Sequence, residues 1–133
     1  MPGYWPDGSV WLETDGYAYC DANKVGGNFC PEFDIMEANK YAWASTPHKC
    51  DTPSDTRFYS NCDAGGSCHK NTVEDLDYEA YGPGDSYKIN TLEPFHAKIS
   101  FDTDEKNQFA SYTTTFTQNG QSLEMISACD YLK

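Results

Sequence analysis

Three carboxylates fall within six residues in the run Pro31-Glu32-Phe33-Asp34-Ile35-Met36-Glu37-Ala38-Asn39. Two glutamates so close can divide the labour of acetal cleavage, one attacking carbon while the other, protonated, supplies the leaving oxygen with a proton. If the run is a strand, side chains alternate, and Glu32 and Asp34 share one face while Phe33 and Ile35 take the other. Glu37, at an offset of five, would then point away from Glu32. A β-bulge near Ile35 or Met36 would absorb one residue and return Glu37 to the carboxylate face. The glutamates would stand about four strand residues apart, roughly 13 Å between backbones at about 3.3 Å per residue. Side chains leaning inward close much of that gap. A carboxyl separation of about 5 Å is what a retaining mechanism needs, whereas inverting enzymes keep a wider gap for water. Asp34 lies too near both glutamates for all three groups to ionise comfortably, so at least one carboxyl is expected to hold its proton above the usual range. Its expected job is to hydrogen-bond and tune Glu32. As a bare pattern, however, Glu-x-Asp-x-x-Glu is also a charged strand edge.

The elements that must carry this run are strands. Tyr, Phe, Trp, Thr, Gly, Pro, Asn and Asp are abundant in the 133 residues while helix formers are sparse, which points to a mostly β domain with one core. From Phe95 to Phe101 the apolar Phe95, Ala97, Ile99 and Phe101 alternate with His96, Lys98 and Ser100, as in a half-buried strand. Tyr112–Gln118 and Gln121–Ile126 flank Asn119-Gly120, a strong hairpin signal because both central positions of a type I′ turn need positive φ. Shorter candidate strands are Ser9–Glu13, Gly16–Cys20, Glu32–Ala38 and Ser86–Asn90, each bounded by turn formers. Some seven short strands separated by turns suggest an antiparallel sandwich, although periodicity alone does not separate a sandwich from a barrel.

A net charge of -12, spread along the chain, would repel a nucleic-acid backbone or an anionic membrane and leaves a neutral partner as the better fit. Cys20, Cys30, Cys50, Cys62, Cys68 and Cys129 are even in number in a short Gly- and Pro-rich chain, which reads as three disulfides and an oxidising, extracellular setting. Zinc is the alternative use, with Cys50, Cys62, Cys68 and His48 or His69 as ligands, but no Cys-x2-Cys pair is present. No metal and no organic cofactor are expected. The opening residues show neither the basic nor the apolar region of a signal peptide, so an internal piece of a secreted protein is expected.

The octet Glu32 to Asn39, followed by Thr46-Pro47-His48-Lys49-Cys50, resembles the active-site segment of the family 7 glycoside hydrolases, the cellobiohydrolases and endoglucanases. That segment reads Glu-Met-Asp-Ile-Trp-Glu-Ala-Asn and then Thr-Pro-His-x-Cys, and within the octet only Phe33 and Met36 differ. Upstream, Gly16 to Ala22 is similar to the family's Gly-Tyr-Cys-Asp stretch, whose Tyr and Asp line the glucose cleft; Tyr19 and Asp21 stand there. Arg57 precedes Cys62 as an arginine does on the product side of cellobiohydrolases, and Tyr81-Gly82-Pro83-Gly84 and Gln118-Asn119-Gly120 match further stretches. The resemblance implies a concanavalin-like jelly-roll sandwich, partial here, with residues 1–133 as one segment of a cellulase catalytic domain. It implies Glu32 as nucleophile, Glu37 as acid/base, Asp34 between them, and Tyr19, Asp21, His48 and Arg57 as substrate-binding residues. The substrate implied is a β-1,4-glucan such as cellulose, cleaved with retention by a secreted monomer. It also implies the pairs Cys20 with Cys30, Cys50 with Cys62 and Cys68 with Cys129. A further family bridge is lost at both ends together, since Lys24 and Phe29 occupy those positions.

The family's catalytic domains are several-fold longer than this chain, and tryptophans that serve as sugar platforms are missing with the absent parts. Tyr4, Trp5, Trp11 and Trp43 are candidates for stacking on sugar or for packing in the core. The rival reading is a glucan-binding jelly-roll module without activity, which fold alone would not distinguish. The carboxylate set favours the enzyme, because a sugar binder has no use for two glutamates across one bond.

Overall fold

A computed structural model of the chain describes Ser9, residues 19–55 and residues 58–132. Tyr4, Trp5, Trp11, Arg57 and, apart from Ser9, Tyr19 and Cys20, the expected strands Ser9–Glu13 and Gly16–Cys20 lie outside the described residues. Among those described, the strands are β1 Glu32–Ala38, β2 Trp43–His48, β3 Lys70–Asn71, β4 Tyr81–Gly82, β5 Ile89–Asn90, β6 His96–Thr103, β7 Phe109–Gln118 and β8 Gln121–Ser127, followed by a 3-10 turn at Asp130–Leu132. They form sheets in the orders β1-β2-β3, β4-β5 and β6-β7-β8. The fold is mostly β. Pairing is antiparallel for β2 with β3, β6 with β7 and β7 with β8, and parallel for the two-residue pair of β4 and β5. No described helix is long and apolar enough to cross a membrane.

The chain divides into two compact units, Met1–Phe33 with His48–Ser67, and Asp34–Pro47 with Cys68–Lys133. The larger unit is organised by the β7–β8 hairpin. Asn119 and Gly120 adopt φ of 49° and 78°, as the two-residue turn requires, and Gln118 faces Gln121 across its mouth. Along β7 the residues Tyr112, Thr114, Phe116 and Gln118 are buried, so alternation points them to the core. In register with them on β6 stand Phe101, Ile99 and Ala97, which places the expected apolar face of that strand on the core side. Burial along it is uneven, because β6 is the edge of its sheet: Ile99 packs against the core, while Phe101 is 51% exposed and leans on Phe109 at 6.3 Å between ring centroids.

Phe116 is fully buried among Trp43 at 5.2 Å, Tyr81 at 5.4 Å and Phe95 at 6.1 Å between ring centroids, with Ile89 and Met125 completing the cluster. Trp43 is therefore a core residue, and its indole N–H donates to Ser45 Oγ at 3.1 Å. A buried aromatic of this kind contributes roughly 1.5–3 kcal/mol by area alone. Two polar side chains, Gln118 and Tyr112, tie this core together. Gln118 accepts from the Asn90 N–H at 2.8 Å and donates to the Asn90 and Pro94 carbonyls at 3.0 and 3.1 Å, which fastens β5 to β7. Tyr112 donates to the Ser45 and Cys68 carbonyls at 3.0 and 2.8 Å, and burial pushes its phenol up to about 12. Of the expected strand Ser86–Asn90 only Ile89–Asn90 is extended, because the Tyr87 N–H closes a turn onto the Gly84 carbonyl at 3.2 Å.

Candidate active site

β1 has the bounds that the sequence suggested, since Phe33 and Ile35 favour extended backbone, Pro31 precedes it and Asn39 ends it. Asn39 Oδ1 accepts from the Tyr41 and Ala42 N–H groups at 2.7 and 3.1 Å, and the Asn39 N–H reaches the Ala42 carbonyl at 2.9 Å, so a short turn delivers the chain into β2. Glu32, Phe33 and Asp34 are half-buried, whereas Ile35 and Met36 are 50% and 62% exposed and Glu37 is exposed. The apolar residues at the centre of β1 are thus barely held by burial.

In the smaller unit, Glu32 is fixed by the loop before it. Its Oε2 accepts the Ala22 N–H at 3.1 Å. That N–H is presented by a turn built on Asp21, whose buried carboxylate accepts the Asn23 and Val25 N–H groups at 3.0 Å each. The Cys30 N–H bonds the Asp21 carbonyl at 2.9 Å, and the Cys20–Cys30 disulfide closes the same loop. A bridge two residues before β1 therefore positions the amide that grips the first glutamate. Asp21 acts here through its own backbone loop, while Tyr19 is 55% exposed just before the bridge.

His48, at the end of β2, is buried, and its Nδ1 lies 2.7 Å from the Asp63 carbonyl oxygen. A ring nitrogen of His48 and a carboxylate oxygen of Glu32 come within 4.8 Å of each other. Imidazole and carboxylate are also cation ligands in general. The Asp63 carboxylate accepts the Gly66 and Ser67 N–H groups at 3.1 and 2.5 Å. Burial pushes the Asp63 carboxyl up, but the hydrogen bonds from Ser67 and Gly66 and the charge of His48 together outweigh it and hold the group below the usual carboxylate value.

In the larger unit, Glu37 Oε2 is met by the hydroxyl of the buried Thr46 at 3.4 Å. Asp34 sits on the same strand, three residues before Glu37. Arg57 lies outside the described residues. All six cysteines are paired, Cys20 with Cys30, Cys50 with Cys62 and Cys68 with Cys129, so thiolate ligation of zinc has no donor. The Ala22 amide, Thr46 and Asp63 were not legible as site residues. Thr46 was visible inside Thr-Pro-His-x-Cys, and an Asp opening a Gly- and Asn-rich loop is a signal for the turn at Asp21.

The chain belongs to glycosyl hydrolase family 7, whose model matches residues 10–129. Endoglucanase 1 of Pyricularia oryzae is 30% identical over 139 residues, which cover 86% of this chain and 31% of that protein. Among solved structures, endoglucanase I complexed with cellobiose matches with a TM-score of 0.67 at 26% identity, over 83% of this chain and 32% of that one. A family 7 cellobiohydrolase from Daphnia pulex matches with a TM-score of 0.60 at 31% identity, over 73% of this chain and 26% of that one. The chain spans about a third of the length of the curated relatives it matches. Its strands are a part of the family's β-jelly-roll sandwich.

Proposed function

We propose that the polypeptide carrying this chain hydrolyses β-1,4-glucosidic bonds of cellulose or related β-glucans with retention, through a glycosyl-enzyme ester on Glu32. The observation that carries this reading is the carboxylate set of β1, with its first member held by a backbone N–H. The Glu32 carboxylate attacks the anomeric carbon as the glycosidic C–O bond breaks, and Glu37 gives its proton to the departing oxygen. Water then attacks the same carbon, its proton passes to Glu37, and Glu32 leaves as carboxylate. For both carboxyls to serve one bond, Glu37 shares the face of Glu32, an arrangement that a bulge at Ile35 or Met36 would supply. Asp34 orients Glu32, His48 stands beside Glu32 at the sugar site, Tyr19 and Arg57 contact sugar, and Asp21 serves the site through the loop that presents the Ala22 amide. Three disulfides suit a secreted protein.

Internal attack is favoured by the endoglucanase relatives and by the short loop between Cys50 and Cys62, whereas Arg57 pulls toward chain-end attack. Carboxymethyl-cellulose should lose viscosity early, ahead of sugar release. The direct test of the mechanism is trapping. An activated 2-deoxy-2-fluoro-β-cellobioside should stall the enzyme as an ester that peptide mapping assigns to Glu32. Binding of glucan with no ester and no turnover would identify a binding module instead.

A further inference from the structure

The middle of β1 is held by a residue that no catalytic reading requires. Ser45, on β2, has no exposed surface, and its hydroxyl lies 2.9 Å from the Ile35 carbonyl oxygen, between Asp34 and Glu37. The same hydroxyl receives the Trp43 indole N–H at 3.1 Å and stands 3.3 Å from Thr114 Oγ1. A hydroxyl has one proton and two lone pairs. With its proton on the Ile35 carbonyl, Ser45 accepts from both Trp43 and Thr114, and its bonding capacity is filled. Both donors are core residues, Trp43 against Phe116 and Thr114 fully buried on β7. The Ser45 main-chain oxygen is in turn tied to the Tyr112 hydroxyl at 3.0 Å.

We infer that Ser45 is a positioning residue for the acid/base end of β1, which rests on the function proposed above. Two adjacent residues of β2 act together, since Ser45 clamps the backbone two residues before Glu37 and Thr46 meets the Glu37 carboxylate. Packing contributes little here, because Ile35 and Met36 are at least half exposed. The hydroxyl thus ties an edge strand to a rigid aromatic core at the point where its direction matters. A displacement of about 1 Å in a reacting group costs on the order of a hundredfold in rate.

The test uses the full-length polypeptide and two readouts. Amide hydrogen exchange is followed across residues 34–37, and kcat and KM are measured on aryl β-cellobiosides with poor and with activated leaving groups. Ser45→Ala should raise exchange at 34–37 about tenfold. It should lower kcat on the poor leaving group about tenfold, with a smaller loss on the activated one and KM within about twofold. Thr114→Val keeps the clamp on Ile35 and should leave the exchange and both rates near wild type. If Ser45→Ala does not fold, Ser45→Cys, similar in shape with a weaker donor, must itself lose protection at 34–37. Unchanged exchange there, or equal loss on both substrates that tracks thermal stability, overturns the proposal. A wild type that cleaves no β-glucan removes its catalytic half together with the function, and the exchange data then report separately on the clamp.

Discussion

His48 Nδ1 lies 2.7 Å from the main-chain oxygen of Asp63, and since a carbonyl can only accept, the ring carries its proton at Nδ1. In the neutral ring Nε2 is then the acceptor nitrogen. The contact is built by the chain around it: the Asp63 N–H bonds the Lys49 carbonyl at 2.8 Å, Cys50 and Cys62 pair as a bridge and a disulfide, and the Asp63 carboxylate ties down the Gly66 and Ser67 amides. One short loop thereby sets the tautomer of a histidine that lies beside Glu32.

That loop should be sensitive to acid. The folded-state pKa of Asp63 is depressed, so the unfolded chain binds more protons between the folded and the unfolded values, and stability rises with pH across that window. The contribution is fully present above the unfolded value of about 3.9 and is lost as pH falls through the folded one. Asp75 acts with the same sign, its carboxyl raised by burial but lowered more by Lys70 and the Asn71 amide. Asp63→Asn should lower the thermal midpoint at neutral pH and flatten its fall in acid, while Asp75 preserves part of the slope. Midpoints measured from about pH 6 down to about pH 2 decide this, and parallel curves for variant and wild type would refute it.

The disulfides should rank by the length of chain they close. Cys68–Cys129 spans 61 residues and Cys50–Cys62 spans 12, which corresponds to about 4 and about 3 kcal/mol in a chain-entropy model. Replacing both cysteines of the long bridge by alanine should therefore destabilise the protein more than the same change in the short one. Thiol titration of the denatured, non-reduced wild type should find no reactive thiol. Two or more would contradict the pairing, and a reversed order of denaturation midpoints would contradict the entropic ranking.

Gly120 should tolerate no side chain without cost, although there is space for one. An added Cβ meets nothing within 4 Å, yet φ is 78°, where an L residue is strained by roughly 1–2 kcal/mol. Gly120→Ala should lose about that much in chemical denaturation with the slope unchanged. A neutral result would mean that the turn relaxes to another type.

This hairpin was legible in the sequence because Asn-Gly states a local backbone requirement that no distant contact has to supply. β1 was legible for a similar reason, with Pro31 and Asn39 punctuating a short run. β2 was not, because Trp43–His48 contains Pro47 and shows no alternation; Ser45, Thr46 and His48 are buried through hydrogen bonds, and a polar residue satisfied by partners far along the chain has no periodic signature. The clamp of Ser45 joins it to Thr114, 69 residues away, and the histidine anchor joins His48 to Asp63. The face of β6 could be read from its alternation, but its edge position, which leaves Phe101 half exposed, could not.

The mechanism itself makes the most discriminating prediction, to be tested in the full-length polypeptide. Glu32→Gln should abolish formation of the glycosyl ester, because the amide is a poor nucleophile even where the Ala22 N–H still orients it. Glu37→Gln keeps the nucleophile and loses the proton donor, so turnover should survive best on substrates whose leaving group departs without protonation, and fall by about two to four orders of magnitude on natural glucan. Asp34→Asn should fall between the two. Proton NMR of the first-formed sugar then reads the stereochemistry: two successive displacements at the anomeric carbon return the β-anomer from a β-linked glucan, whereas a single displacement by water gives the α-anomer. An initial α-product, or a Glu37→Gln variant equally slow on every leaving group, would contradict the division of labour between the two glutamates of β1.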